Sequence, residues 1–413
     1  MRTVVEHQGV VAALFGAPEP VLMKVPDAMG LATSSDIDAP LSLPGFDNSA
    51  MDGFAVRAID LAGATADHPV VLPVGADIPA GRTDDLELEP GTAHRIMTGA
   101  PLPSGADAVV PVELTDAAVG PVAAAATVTF TGPVDAGKHI RRAGSDIERG
   151  TRALPAGTVI GAPQIGLLSA LGIAEVTVAR PLRVVVLSTG SELIEPGNAL
   201  RHGQIYESNG AMLTAAVIEA GATGRHLHFV PDNTADFTTR LDEVADSADL
   251  IITSGGVSAG AFEVVKDALS ATGTVEFVKV AMQPGMPQGC GLYGSAGGAQ
   301  VPIITLPGNP VSALVSFEVF IRPALRGAMG LPPHRRRVSA RLGADIRSPR
   351  GKRQFLRGVL DDGEPAADMV VDPIGPPASH HLRYLAEADA LIDVPADVDE
   401  VAAGSSVDVL LLR

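Results

Sequence analysis

Three continuous apolar runs in the middle of the chain predict strands that are buried on both faces. They cover residues 182–187, 250–253 and 301–306. Helix-length amphipathic stretches separate or follow these runs, at residues 211–220, 234–247, 262–271 and 310–326. Strand–helix alternation of this kind is typical of an open, mostly parallel α/β sheet.

The flanking parts of the chain have a different pattern. Short β-rich runs at 69–74, 108–112 and 126–130 alternate with Gly, Pro and Asp turns, which predicts a strand-rich domain. An amphipathic helix is expected within residues 1–20 and another at 164–171, and the tail returns to strands and turns. These changes predict a multidomain chain of class α/β plus β, with domain I at 1–46 and 143–180, domain II at 47–142, domain III at 181–327 and domain IV at 333–413.

Composition narrows the class of protein. The 413 residues carry a formal net charge of −18 and contain no tryptophan, which disfavours binding to nucleic acid or to an anionic membrane. No apolar stretch reaches the roughly 18 residues that span a bilayer, so a cytoplasmic protein is expected. Cys290 is the single cysteine, which excludes an intramolecular disulfide and a cysteine-based zinc site.

The charge is unevenly distributed, because nine basic residues lie between Arg335 and Arg357. Such a cationic segment on an acidic chain indicates a local anion site. A solvated basic face on a surface hairpin explains the same pattern equally well.

Each of the three buried strands is followed by a polar, glycine-containing loop, at residues 188–192, 254–260 and 307–310. In a parallel sheet these loops emerge at the same carboxyl edge, where backbone amides and helix N-termini bind anions. One such loop alone is also explained as a tight strand-to-helix turn. The three together favour a ligand site.

Carboxylates occur close to these loops, at Glu192, Asp232 and Glu263. They would repel a phosphate unless a divalent cation lay between them, and Mg²⁺ is usually held by one or two carboxylates plus substrate oxygens. The alternatives are an Asx turn at Asp232 and a favourable helix-dipole interaction at Glu263. Two further segments, 47–55 and 95–103, predict loops that serve either as ligand loops or as domain hinges.

These motifs, in this order, resemble the molybdopterin molybdenumtransferase family, which includes the bacterial MoeA proteins and the E domain of gephyrin. The matching stretches are residues 47–56, 95–110, 144–147, 188–196, 203–209, 254–260 and 306–312. The resemblance implies an elongated homodimer of four-domain subunits, in which domain I dimerises, domain III binds molybdopterin and domain IV is a small β-barrel. It also implies a Mg²⁺-dependent reaction in which adenylylated molybdopterin and molybdate give molybdenum cofactor and AMP.

The resemblance assigns roles to individual residues. The implied catalytic residues are Asp52, Thr98, Asp146, Glu192, Asp232 and Glu263, with Glu192, Asp232 and Glu263 as metal ligands and Thr98 reaching the ligand from a neighbouring subunit. The implied binding residues for the pterin, its phosphate and molybdate are Thr189, Gly190, Gly255, Gly256, Ser258, Pro287, Gly308, Asn309, Arg357 and Ser379.

The sequence departs from the family pattern at several of these positions. Glu263 stands where aspartate is usual, and His380 and His381 replace a Ser-Arg pair. Gln283 and Met286 occupy positions where many members have lysine. Loss of two cations should weaken oxyanion binding unless Arg357, Lys279 or another basic residue compensates.

Two other functions are considered beside the insertase. The missing lysines favour a non-catalytic, gephyrin-like scaffold that binds a partner peptide, whereas the retained acidic residues favour the enzyme. Adenylylation of molybdopterin needs only the α/β module, so segments 47–54 and 95–103 argue against it. Expected partners are a second copy of the chain and other molybdenum-cofactor biosynthesis proteins, with neither nucleic acid nor membrane.

Overall fold

The computed structural model describes residues 1–118, 125–190, 192–228, 234–255, 264–271, 274–298, 300–361 and 369–413. The chain divides into two compact units. The first comprises Met1–Met23, Gly30–Ser34 and Thr177–Arg413, and the second comprises Lys24–Met29 and Ser35–Val176. Within the described residues, no helix combines the length and hydropathy needed to cross a membrane.

Most helices lie in the first unit, and several of them cover the faces of its six-stranded sheet. The helices are Val4–Ala12 (α1), Ala162–Ala170 (α2), Asn209–Glu219 (α3), Thr234–Ala245 (α4), Val264–Ala271 (α5), Pro310–Ser316 (α6), Arg322–Ala328 (α7) and Leu382–Glu387 (α8). A π-helical segment, Phe317–Ile321, joins α6 to α7. Short 3₁₀ turns occur at Val25–Ala28, Ala58–Leu61 and Val112–Leu114.

The second unit is built around strands, as its alternating pattern predicts. The strands of the N-terminal half are Pro20–Lys24 (β1), Ile37–Asp38 (β2), Asn48–Ser49 (β3), Gly53–Val56 (β4), Val70–Ile78 (β5), Ala93–Ile96 (β6), Ala108–Pro111 (β7), Thr127–Phe130 (β8), Ile140–Arg141 (β9), Arg152–Leu154 (β10) and Glu175–Ala179 (β11). Five of them form one sheet in the order β7-β4-β6-β5-β8. Its core includes Phe54 and Phe130, whose rings meet edge to face at 6.2 Å.

The α/β part of the first unit contains a six-stranded sheet. The strands of this part of the chain are Arg183–Ser188 (β12), Leu193–Ile194 (β13), Ile205–Tyr206 (β14), Thr223–His228 (β15), Leu250–Ser254 (β16), Val275–Lys279 (β17), Met282–Gln283 (β18), Pro287–Gly294 (β19) and Gln300–Leu306 (β20). The sheet order is β15-β12-β16-β20-β19-β17. The first four strands are parallel and the last two are antiparallel to their neighbours.

The three apolar runs form the adjacent central strands β12, β16 and β20, because their side chains are buried by helices on both faces. One face contacts α3 and the α6–α7 segment, and the other contacts α4 and α5. The antiparallel strand β19 was not predicted, since three of its eight residues are glycine. Its glycines permit close packing: a Cβ on Gly289 would lie 2.2 Å from Thr305 Oγ1.

The C-terminal strands close into a small barrel. They are Arg337–Leu342 (β21), Ile346–Arg347 (β22), Arg353–Asp361 (β23), Val370–Pro373 (β24), Ala390–Val394 (β25), Glu400–Val401 (β26) and Ser406–Leu411 (β27). Five strands follow one another as β23-β24-β21-β27-β25, and pairing of β23 with β25 completes the ring. Strand β18 runs parallel to β23 at its side. The predicted fold class, an α/β sheet domain with a strand-rich region and a C-terminal barrel, is confirmed.

Candidate functional site

Three neighbouring parallel strands end together at the carboxyl edge of the sheet. Ser188 of β12 is in register with Ser254 of β16, and Ser254 is in register with Leu306 of β20. The loops that follow are in contact, because Gly255 N donates a hydrogen bond to Leu306 O at 3.2 Å. Gly255 has a φ of +102°, and a Cβ there would lie 2.7 Å from Thr189 O. Glycine therefore lets these loops approach at the sheet edge.

A cavity of about 910 Å³ lies at this edge. Its walls come from the β12, β16 and β20 loops, from the start of α3, from the segment around β18 and from the loop before α8. The lining residues that belong to the sequence-predicted set are Thr189, Glu192, Gly255, Pro287, Gly308, Asn309 and Ser379. The cavity thus brings together seven residues from five separate segments of the sequence.

The other predicted residues lie elsewhere or outside the described part of the chain. Gly190 directly follows Thr189, with a φ of +152°, and a Cβ there would lie 2.6 Å from Glu192 Oε2. Asp232, Gly256, Ser258 and Glu263 lie outside the described residues. Asp52, Thr98 and Asp146 belong to the second unit, and Arg357 does not line the cavity.

A buried carboxylate forms part of the cavity wall. Glu207 is 4% exposed, and its Oε1 accepts hydrogen bonds from Ser188 Oγ at 2.8 Å and from Gly210 N at 2.6 Å. His226 Nε2 lies 3.0 Å from Ser188 Oγ. Because the single hydroxyl proton of Ser188 is directed to Glu207, His226 donates to Ser188. This network fixes the end of β12 against the first turn of α3.

Asn209 connects two of the cavity loops. Its Nδ2 donates to Ser254 Oγ at 2.8 Å and to Gly308 O at 2.6 Å. The segment around Gly285 is fixed separately, since buried Gln288 Nε2 donates to Gly285 O at 2.6 Å and to Ser316 Oγ at 2.7 Å. Both amides set loop geometry with neutral hydrogen bonds, which leaves the cavity wall polar without adding charge.

Arg357 supports the loop that carries Ser379. It is 4% exposed, and its Nη1 donates to Ala378 O at 3.2 Å and to His381 O at 3.1 Å, while its Nη2 donates to Pro376 O. Burial lowers the pKa of this guanidinium from its usual value. The resemblance places Arg357 near the molybdate pocket, and here its donors go to backbone carbonyls behind the cavity wall.

Several members of the cationic segment form ion pairs, namely Arg335, Arg337, Arg347 and Arg353. Arg335 pairs with Glu318 at 2.7 Å, and Arg353 pairs with Asp393 at 2.6 Å. Another member of the segment behaves differently, because Lys352 lines the cavity. Several cations of the segment are thus paired with carboxylates, and Lys352 lines the candidate ligand cavity. An anion site at this segment stays a prediction.

Asp52 and Thr98 meet in the second unit. Thr98 N and Oγ1 donate to Asp52 Oδ1 at 2.6 and 2.7 Å. The backbone hydrogen bond, followed by the hydroxyl, lowers the pKa of the Asp52 carboxyl from its usual value. Both side chains are exposed, as is Asp146, whose loop is held by a hydrogen bond from its backbone N to Leu43 O at 3.0 Å.

Sequence reasoning assigned no site role to several residues of the cavity wall, among them Ser188, Glu207, Asn209 and Lys352. A signal existed for Glu207 and Asn209, since both lie in the matching stretch 203–209. Ser188 is the first residue of the predicted loop 188–192, and in the structure it is the last residue of β12. Lys352 belongs to the cationic segment, but the sequence does not distinguish it from the other eight basic residues, because its place at the cavity depends on the pairing of β23 with β18.

Comparison with known proteins covers nearly the whole chain. Residues 2–172 match a model described as the MoeA N-terminal region (domain I and II), 185–327 match a probable molybdopterin binding domain, and 339–412 match the MoeA C-terminal region (domain IV). Molybdopterin molybdenumtransferase 2 of Mycobacterium tuberculosis is 57% identical, with 99% of each chain covered. Molybdopterin molybdenumtransferase of Haemophilus influenzae is 34% identical, over 94% of this chain and 92% of the relative.

A solved structure supports the same relationship. The crystal structure of the molybdopterin biosynthesis MoeA protein from Pyrococcus horikoshii matches with a TM-score of 0.82 and 30% identity, over 100% of this chain and 99% of that chain. The family models, the relatives and this structure all agree with the motif order in the sequence. The chain therefore belongs to the MoeA family, the molybdopterin molybdenumtransferases.

Proposed function

We propose that this chain transfers molybdenum to molybdopterin in the biosynthesis of molybdenum cofactor, with adenylylated molybdopterin and molybdate as substrates. The observation that carries the proposal is the cavity of about 910 Å³ at the sheet edge, within and beside the region that matches a molybdopterin binding domain. A pocket of this size, with polar groups at converging strand ends, suits a pterin nucleotide. The names of the relatives support the same reaction class.

The chain's own groups suit a phosphorylated ligand. The backbone at Gly255 and Gly308 borders the cavity without side chains, which allows close approach of a phosphate. The hydroxyls of Thr189 and Ser379 add donors from two different loops of the cavity wall. Hydrolysis of an adenylate depends mainly on positioning and charge neutralisation, so these groups would orient the ligand and release AMP.

The donor set also fits Mg²⁺. Glu192 is an exposed carboxylate on the cavity wall, and Mg²⁺ is commonly bound by one or two carboxylates together with substrate oxygens. Asp232 and Glu263 complete the proposed ligand set and lie outside the described residues. When bound, the ion would neutralise charge on the phosphoanhydride.

The remaining parts of the proposal rest on the resemblance. Asp52, Thr98 and Asp146 would contribute to the reaction, with Thr98 supplied by a neighbouring subunit. The chain would form a homodimer of four-domain subunits with the domain boundaries given above. It would associate with other cofactor-biosynthesis proteins in the cytoplasm. Asp52 and Thr98 are preorganised in the folded chain by the hydrogen bonds that join them.

Reconstitution of the reaction tests the proposal. Purified protein, Mg²⁺, molybdate and adenylylated molybdopterin should release AMP and yield cofactor that activates an apo-molybdoenzyme. Glu192→Ala and Asp232→Ala should each abolish both products, whereas the exposed β11 carboxylate variant Glu175→Ala should keep them. Absence of both products with the unaltered chain refutes the insertase, and full turnover in both cavity variants refutes the carboxylate assignment.

A gephyrin-like scaffold is the second candidate, and Gln283 and Met286 are the observation that favours it. Both line the cavity without charge. The cavity nevertheless keeps a cation in Lys352, which weakens this argument. Restoration of nitrate reductase activity in a strain that lacks its insertase would support the enzyme, and failure of a well-expressed chain to restore it would support the scaffold.

A further inference from the structure

The cavity has an unusual distribution of charge. Among the described residues that line it, the carboxylates are Glu192 and Glu207, and Lys352 is the only lysine or arginine. Glu207 is already engaged by Ser188 and by the amide of Gly210. An anionic ligand that enters the cavity would therefore meet the exposed carboxylate of Glu192, the ammonium group of Lys352 and the imidazole of His380.

Lys352 stands beside the positions where lysines are absent. Strand β18 pairs in parallel with β23, with Met282 opposite Arg353 and Gln283 opposite Gln354. A hydrogen bond from Arg353 N to Ala281 O at 3.0 Å continues this pairing toward Lys352. Lys352 is the residue just before β23 and lies next to the β18 segment. Its cation therefore borders the same cavity as Gln283 and Met286.

The ammonium group of Lys352 is available to a ligand. It makes no ion pair with any residue in the described ranges, and its side chain is only partly exposed. The adjacent Arg353 is held by Asp393 through two hydrogen bonds of 2.7 and 2.6 Å. The Nη1 and Nη2 groups of Arg357 donate hydrogen bonds to backbone carbonyls of the 376–381 loop. Of these three neighbouring cations on and beside β23, Lys352 is the one that faces the cavity.

We propose that Lys352 binds a tetrahedral oxyanion and supplies the positive charge that Gln283 and Met286 lack. Lysine is well suited to this task, because its ammonium is a compact charge with three donors on a flexible stem. The identity of the anion, molybdate or the phosphate of the nucleotide, rests on the proposed function. The presence of an oxyanion subsite at Lys352 does not.

Direct binding measurements with the full-length chain test this inference. Calorimetric titrations with molybdate and, separately, with AMP distinguish the two sources of oxyanion. Lys352→Gln should weaken binding of at least one anion about tenfold or more, as expected for the loss of a charge-assisted contact. Lys352→Arg should retain most of the affinity. Lys138→Gln, which removes an exposed lysine from the second unit, is the control for the same change in net charge.

A relocation variant sharpens the test. Gln283→Lys in the Lys352→Gln background returns the cation to the neighbouring segment and should recover the lost affinity to within about threefold. Circular dichroism should show that all four variants are folded. The inference is overturned if the unaltered chain binds neither anion, or if Lys352→Gln binds both anions as well as Lys138→Gln does.

The outcomes separate this inference from the proposed reaction. If the unaltered chain binds an anion through Lys352 but releases no AMP and forms no cofactor, the oxyanion subsite stands and the insertase does not. If turnover occurs and Lys352→Gln leaves both affinities and the KM for molybdate unchanged, the insertase stands and the role of Lys352 is refuted.

Discussion

Substitution of Gly210 by alanine should break the hydrogen-bond network in the cavity wall. A Cβ at this position would lie 2.0 Å from His226 Nε2 and 2.4 Å from Ser188 Oγ. Both distances are far below van der Waals contact, so both side chains must move. Ser188 is 1% exposed and cannot leave without losing its hydrogen bond to Glu207.

The expected loss of stability follows from these contacts. Overpacking of a buried site destabilises by about 1–3 kcal/mol. Loss of a hydrogen bond to a buried carboxylate is worth about 1.5–3 kcal/mol, and the two effects share one rearrangement. The higher helix propensity of alanine offsets at most about 1 kcal/mol. Gly210→Ala should therefore lower the free energy of unfolding by about 2–4 kcal/mol.

Gly9→Ala is the matched control. Gly9 is an exposed residue of α1 in the same unit, and a Cβ there would meet no atom within 4 Å. This variant should be more stable by about 0.5–1 kcal/mol, so the two substitutions should differ in sign. Urea unfolding followed by circular dichroism measures both, since the chain has no tryptophan for fluorescence.

A second substitution identifies the source of the effect. In a His226→Ala background the closest contact of the new methyl group is absent, so Gly210→Ala should destabilise less than in the unaltered chain. This coupling is expected because the two side chains are in direct contact. Equal effects in both backgrounds, or stabilisation by Gly210→Ala alone, would show that the network does not constrain this position.

Three further predictions concern ionisable groups. Burial lowers the pKa of His7 from 6.5 to about 4, so this residue should make the free energy of unfolding fall by up to about 1.4 kcal/mol per pH unit as the pH drops from about 6.5 to about 4. In urea unfolding, His7→Gln should reduce the pH slope by that contribution. Thr98→Val removes one of two hydrogen bonds to Asp52, so the Asp52 pKa should rise toward its usual value in a carboxyl NMR titration, and an unchanged pKa would contradict the geometry. Burial raises the pKa of Asp249, but the hydrogen bonds from Arg180 and Arg183 outweigh it and lower the pKa overall. Asp249→Asn should therefore lower the free energy of unfolding by about 1–3 kcal/mol at neutral pH. In urea unfolding, the difference between the variant and the unaltered chain should become smaller as the pH falls below 3.8, the ordinary pKa of the carboxyl.

The central sheet could be predicted from the sequence because burial on both faces leaves a local signal. The runs at 182–187, 250–253 and 301–306 became β12, β16 and β20 with boundaries shifted by at most one residue. The antiparallel edge left no such signal. From the sequence alone, the glycines of β19 favour a turn. In the folded sheet, neighbouring atoms lie so close to Gly289 and Gly291 that a Cβ would not fit, and this contact cannot be predicted from the local sequence.

The helix that follows β20 shows a similar limit. The sequence predicts one uninterrupted helix over 310–326, and the structure has α6, a π-helical segment and α7 in succession. Hydrophobic periodicity indicates that a stretch is helical and which side is buried. It does not locate a one-residue change in the hydrogen-bonding pattern, which depends on packing within the folded unit.

The candidate site was predictable where it lies directly after a strand. Thr189, Gly255, Gly308 and Asn309 follow the strand ends, so parallel topology brings them together. Residues placed by long-range pairing were not predictable. The nine basic residues between 335 and 357 are nearly alike in sequence, and their partners in the fold decide which are neutralised and which face the cavity.

Net charge describes the approach of a large polyanion better than the binding of a small one. At physiological ionic strength the Debye length is about 8 Å, so most of the charges that sum to −18 are screened from a ligand inside the cavity. The described groups that a ligand would meet there are Glu192, Lys352, His380 and the neutral donors at the strand ends, since Glu207 is satisfied within the wall. An acidic chain can therefore exclude nucleic acid and still bind a phosphorylated pterin, provided that a cation stands at the cavity. Under the proposed function, Lys352 and the magnesium ion at Glu192 would share this role.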